Sequence, residues 1–244
     1  MSVGGRSVDA MSIVILVPGF WLQADSWNDT LPPIVDAGHQ PVALTLPGLE
    51  SADADRSGIG LAEHVGAVVA EIDRHDEAVV LVGHSGGGTV IHAAVDQRPD
   101  RVVRAVYVDS VPIPHGLATN ADLPAEAADL PLPPWSLWGE DGKDLAGLDP
   151  VTLENFRARA VPHPAAAASD EQQLTDARRY DVPATVILST FTRQEIDEFV
   201  AAGEDEVSEL PKLRDLTIVE LPTGHWPQFS RPDDLGRAIA EAIS

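Results

Sequence analysis

The chain has no cysteine, and its 244 residues carry only 16 lysines and arginines against 39 aspartates and glutamates. Without cysteine there is no disulfide, no thiolate nucleophile and no thiolate metal site. The shortage of basic side chains leaves a formal net charge of -23, a field that repels nucleic acid and anionic membranes and favours solubility without dictating a fold. Long apolar runs are missing too. The run IVILV at residues 13–17 is far short of the roughly 18 residues of a membrane-spanning helix, and the stretch around it lacks the small-residue cleavage site of a secretory leader. These absences point to a cytoplasmic protein with neither nucleic acid nor a membrane as partner, in which residues 1–10, polar with a glycine pair, form a loose leader.

What the chain does have is a succession of short apolar runs: IVILV (13–17), PVALTL (41–46), AVVLVG (78–83), VVRAVYV (102–108), ATVILS (184–189) and LTIVEL (216–221). Near-continuous hydrophobicity suits strands covered on both faces. Helical spacing recurs between them. Leu61, Val65, Val68, Val69 and Ile72 share one helix face, and Leu235, Ala238, Ile239, Ala242 and Ile243 share another behind a start at Pro232. This alternation predicts an α/β fold, a doubly wound, mostly parallel six-stranded sheet with right-handed crossovers.

The rhythm breaks over residues 111–181, where nine of the 20 prolines gather. Proline removes a ladder donor, so this stretch cannot supply a central strand. It does carry helix signals, Asp149 as N-cap before Pro150 and a capping-box pattern in SDEQ at 169–172. The predicted division is a core of residues 11–110 and 182–244 with a small helical cap, residues 111–181, inserted after the fourth strand. α/β sheets bind ligands at their strand ends, so such a cap would cover a site.

GHSGG at 83–87 matches G-x-S-x-G, with an apolar strand before it and a helical stretch, GTVIHAAVDQ, after it. Glycines permit a strained strand-to-helix corner, and the helix N-terminus favours developing negative charge, which makes Ser85 the candidate nucleophile. A serine hydroxyl needs a base. His225, in LPTGHWPQFSRP after the last strand, follows the serine in the chain order this fold requires. Surface or core positions suffice for His39, His64, His75, His92, His115 and His163, and His84 reads as the variable position of the corner.

Taken in order, ILVPGFWLQADSW, AGHQPVALTLPG, VLVGHSGGG and LPTGHWPQFSRP resemble the α/β-hydrolase superfamily, and within it the small plant hydrolases of methylesterase and hydroxynitrile lyase type. The likeness spans nearly the whole chain and leaves only the cap unmatched. It implies an oxyanion hole made by the backbone N–H groups of Phe20 and Gly86. Pro18-Gly19 stands where the family has His-Gly, which leaves the Phe20 donor in place. Most relatives carry their acid just after the strand matching ATVILS, where this chain has Ser189, Thr190, Phe191 and Thr192. Asp109, ending the preceding strand, is the favoured acid, as in some haloalkane dehalogenases and cofactor-free dioxygenases. Glu195 or Asp197 is the alternative, on a helix with Ile196, Phe199 and Val200 inward, and a Ser-His dyad is the third.

The resemblance also implies exclusions. Dehalogenases and epoxide hydrolases use an aspartate at the corner, here Ser85, and hydroxynitrile lyases of this branch carry a lysine where this chain has Trp226. The expected activity is a serine hydrolase that cleaves a small, neutral carboxylic ester or lactone and needs no metal or organic cofactor. Trp21, Trp135, Trp138 and Trp226 are candidate substrate-binding walls, with Phe20 and Leu137 beside them. A cofactor-free dioxygenase and a non-catalytic small-ligand receptor are the alternatives on this scaffold.

Overall fold

Alternate residues of the first apolar run face opposite ways: Ile13, Ile15 and Val17 enter one core cluster, Val14 and Leu16 the other. A strand buried on both faces has to be apolar at every position, and this one is. The computed structural model describes residues 11–121, 123, 127–138 and 142–244; the expected leader, 1–10, lies outside the described residues.

In chain order the elements are β1 (Ile13–Val17), α1 (Leu31–Asp36), β2 (Gln40–Ala43), α2 (Leu61–Asp73), β3 (Val79–His84), α3 (Gly86–Gln97), β4 (Val102–Val108), β5 (Asp129–Leu130), α4 (Pro150–Arg159), β6 (His163–Pro164), α5 (Ala165–Ser169), β7 (Ala184–Leu188), α6 (Arg193–Ala202), β8 (Leu216–Glu220), α7 (Pro227–Ser230) and α8 (Pro232–Ile243). Six strands form one sheet in the order β2-β1-β3-β4-β7-β8, every neighbouring pair parallel. α2 and α3 cover one face, and α1 and α8 cover the other through Ile34, Leu235, Ile239 and Ile243. The doubly wound sheet expected from the apolar runs is the fold observed.

Between β4 and β7 the chain differs in detail from its sequence reading. α4 begins where proposed, with Asp149 accepting the Thr152 N–H at 2.7 Å. The SDEQ pattern starts no helix. Ser169 ends α5, and Asp170 accepts the Leu61 N–H at 3.0 Å, capping α2 from a distance. β5 and β6 form a short antiparallel pair apart from the main sheet, where only helices were expected. Leu137, expected above a pocket, is 72% exposed, and Phe199, expected inward, is exposed against Phe191.

The return of this segment is locked to α3 by a buried polar network. Asp96 accepts the N–H groups of Thr175 and Asp176 and is paired with Arg179, which also reaches Glu209. Among the described residues no helix is long and apolar enough to cross a membrane.

Candidate active site

β3 ends at the centre of the sheet and turns into α3 at Ser85, which has φ 51° and ψ -125°, outside the regions favoured by L-residues. The corner is built by close approach. A Cβ on Gly83 would come within 2.6 Å of the Gly87 carbonyl oxygen, and one on Gly87 within 2.6 Å of the Pro18 and Val17 carbonyl oxygens, so neither position admits a side chain. The Ser85 N–H donates to the Val108 carbonyl at 3.1 Å, and Ser110 Oγ–H donates to the Ser85 carbonyl at 2.9 Å, fastening the corner to β4 and the residues beyond it.

The structure brings Ser85, His225 and Asp109 into line. Ser85 Oγ lies 2.9 Å from His225 Nε2, and His225 Nδ1 lies 2.6 Å from Asp109 Oδ2. With the carboxylate accepting at Nδ1–H, Nε2 carries the lone pair that accepts the serine hydroxyl. Asp109 follows β4 at φ 42° and is held by the start of the loop after β7. The N–H groups of Ser189 and Thr190 donate to Oδ1 at 2.8 and 2.9 Å, and Thr190 Oγ1 donates to Oδ2 at 2.9 Å. Burial pushes this carboxyl up, but the His225 hydrogen bond and charge and the two amides outweigh it and hold it below its ordinary value.

The alternative acids stand elsewhere. Glu195 closes a capping box with Thr192 at the start of α6 and reaches Lys143, while Asp197 pairs with Arg193 one turn along. Ser189 and Thr190, where most relatives carry the acid, here clamp the carboxylate that β4 supplies.

His84, the variable position of the corner motif, has partners of its own. It is fully buried, its Nε2 is 2.6 Å from the His225 carbonyl oxygen and its Nδ1 is 3.3 Å from Gln228 Nε2. Burial, then the charge of the neighbouring His225, push its imidazole down to about 3, so it is neutral. A carbonyl can only accept, so Nε2–H donates to it and Nδ1 accepts from Gln228. The other face of the His225 loop is held by Asp144 and Ala146, whose carbonyls accept the N–H groups of His225 and Gly224 at 2.8 and 3.0 Å. No motif announces these contacts, because each partner lies far away in sequence.

Gly86, the first residue of α3, has an N–H with no partner inside the helix. The Phe20 ring packs against its Cα where a side chain would stand. Trp226, 1% exposed, sits inside an aromatic cluster with Trp135, Trp138 and Phe156 at centroid distances of 6.1, 4.8 and 5.1 Å. Trp21 packs edge-on against Trp138 at 5.5 Å and borders a cavity of about 230 Å³ between residues 21–29 and α4. Trp226 is thus packed among rings of the inserted segment, whereas Trp21 borders the cavity.

A profile of the alpha/beta hydrolase family matches residues 14–238. The chain belongs to the alpha/beta hydrolase family. Within this family it is similar to the carbendazim hydrolyzing esterase of Nocardioides sp. (strain SG-4G), 25% identical over 94% of this chain and 99% of that protein. It is also similar to Methylesterase 17 of Arabidopsis thaliana, 26% identical over 69% of this chain and 67% of that protein. The crystal structure of a methylesterase from Arabidopsis matches with a TM-score of 0.72 at 17% identity, covering 96% of this chain and 99% of that one. The likeness to methylesterases agrees with the resemblance carried by the motifs of this alpha/beta hydrolase.

Proposed function

We propose that this alpha/beta hydrolase is a serine esterase that cleaves a small, neutral carboxylic ester or lactone through an acyl-enzyme. The observation that carries the reading is the unbroken chain from Ser85 Oγ through the His225 ring to Asp109, at 2.9 and 2.6 Å, on a strained corner. Relatives named as esterases support ester hydrolysis in general.

His225 takes the Ser85 proton as the oxygen attacks the carbonyl, and Asp109 stabilises the imidazolium and fixes its orientation. The amides of Phe20 and Gly86 hold the oxyanion, each such donor contributing about 2.7–4 kcal/mol. The protonated His225 then gives its proton to the leaving alcohol. In the second half it activates water against the acyl-enzyme, and the acid departs. Residues 111–181 act as the cap over this site. A surface of net charge -23 disfavours polyanionic substrates, and aromatic walls favour an apolar acyl or alcohol group.

The test is Ser85→Ala. Turnover of a p-nitrophenyl ester falls about 10⁴- to 10⁶-fold, and labelling by a fluorophosphonate disappears. Unchanged labelling refutes the nucleophile. Oxygen uptake with a heteroaromatic substrate that persists in Ser85→Ala favours a cofactor-free dioxygenase, and tight binding without turnover across an ester and lactone panel favours a receptor.

A further inference from the structure

Among the described residues three non-glycine residues have positive φ: Ser85, Asp109 and Trp21. The first two belong to the proposed triad. Trp21, at φ 65°, directly follows Phe20, the proposed oxyanion donor. A bulky aromatic keeps this backbone only where its surroundings over-determine it, and the surroundings come from the short β5–β6 pair. Trp21 Nε1–H donates to the Leu130 carbonyl at 2.8 Å, and the Val161 N–H donates to the Trp21 carbonyl at 3.0 Å. Phe20 stacks on His163 with ring centroids 4.2 Å apart, and His163 faces Leu130 in the β5–β6 register. The pair is anchored in turn, since Arg56 Nε–H donates to the Pro162 carbonyl at 2.8 Å and the same guanidinium meets Asp129 at 3.7 Å.

We propose that the β5–β6 pair is a positioning clamp for the oxyanion hole, and that Trp21 is the positioning residue through which it acts. Holding Trp21 left-handed fixes the peptide on the C-terminal side of Phe20, and the His163 ring fixes the Phe20 side chain, so the residue that carries the donor N–H is held from two directions and its amide stays aimed at the oxygen that becomes negative. An oxyanion donor works because it is already oriented when charge develops, so a donor left free to turn loses much of its effect. The segment between β4 and β7 thereby contributes to the chemical step as well as to covering the site. The inference rests on the serine-hydrolase reading of Ser85.

Two variants cut the clamp at different bonds. Trp21→Phe keeps a ring but deletes the Nε1–H donor. Val161→Pro deletes the N–H that holds the Trp21 carbonyl, and Ala160, at φ -61° and ψ 131°, already has the backbone that a following proline requires. Val161→Ala trims the same side chain and keeps the amide. The measurements are kcat and KM for p-nitrophenyl butyrate, the Ki of a trifluoromethyl ketone that forms an anionic hemiketal on the serine, and the end point of fluorophosphonate labelling.

Both cutting variants should lose about tenfold in kcat at nearly constant KM and about tenfold in ketone affinity, as expected when an interaction made only in the transition state is weakened. They should still label completely, and Val161→Ala should lose less than Val161→Pro. Folded, fully labelled variants that keep wild-type kcat and ketone affinity overturn the clamp while leaving the nucleophile in place. A wild-type protein that takes no label overturns the functional reading and the clamp with it. If Val161→Pro does not fold, Trp21→Phe decides alone.

Discussion

Two polar networks meet α3, one at each end, and they are built on opposite rules. At the N-terminal end, Ser85 and His225 are half-buried, two of the three members of the proposed triad have positive φ, and the line of hydrogen bonds ends on a serine hydroxyl. Toward the C-terminal end, His92, Asp96, Arg179 and Glu209 are buried, none of them has positive φ, and the bonds close on one another. There Tyr107 O–H donates to His92 Nδ1 at 2.8 Å, and His92 Nε2–H donates to Glu209 at 3.2 Å. Glu209 also accepts from Arg179, Tyr180 and Lys212. Burial drives the His92 imidazole down. It drives the Glu209 carboxyl up, but the hydrogen bonds from His92, Lys212 and Arg179 reverse that and hold it far below the usual carboxylate range. A closed network in relaxed backbone specifies structure. One that stores strain and ends on the proposed nucleophile has the arrangement expected of chemistry.

The contrast is broken most strongly by Asp109→Asn, which lowers kcat about 10⁴-fold with the urea midpoint little changed; Glu195→Gln, in an exposed capping box, leaves kcat at the wild-type level. Glu209→Gln does the reverse. It removes one of the two carboxylates that pair with the buried Arg179, leaving Asp96, and lowers stability by about 1–3 kcal/mol, read from the urea midpoint, while kcat per folded molecule is retained. Loss of kcat at unchanged stability would make the second network part of the site.

His84→Leu sharpens the comparison, because His84 is a closed, buried donor inside the open network. Leaving the His225 carbonyl unpaired costs about 1–3 kcal/mol of stability, and displacing the ring lowers kcat about tenfold. The smallest effect is on pH dependence. His84 and His92 are each lowered from an ordinary 6.5, so below that pH the unfolded chain takes up protons that the native state refuses. Stability is therefore complete above about pH 6.5 and declines as the pH falls, before the carboxylates titrate. Melting curves between pH 7.5 and 5 measure it, and in His84→Leu the decline should be shallower.

The central strands were legible because burial on both faces forces apolar runs, and VVRAVYV begins and ends with β4; the edge strands β2 and β8, only partly buried, were legible from their short β-rich runs. Ser85 and His225 were legible because a tight corner and a fixed chain order leave local signatures. Asp109 was favoured only through the resemblance, with Glu195, Asp197 and a dyad left open, and its clamp of Ser189 and Thr190 lies some 80 positions away in sequence. The second network left no trace in the sequence. Nothing near His92 in sequence marks it out, since Glu209 lies 117 positions away. The β5–β6 pair was missed because two-residue strands carry no periodicity, and the residues that hold it, Arg56 and Trp21, lie more than 70 positions away in sequence.

The ring of Phe20 occupies the space that a side chain at position 86 would need. The two positions therefore behave as one compartment with a fixed capacity. Enlarging residue 86 alone should be damaging, and doing so after Phe20 has been reduced to alanine should be tolerated, so neutral drift at this corner can proceed only by paired exchange. An engineer who wants a wider acyl site beside Ser85 has the same constraint as a handle: the volume is already there, filled from the neighbouring loop, and it can be released by one substitution without touching the glycines of the corner.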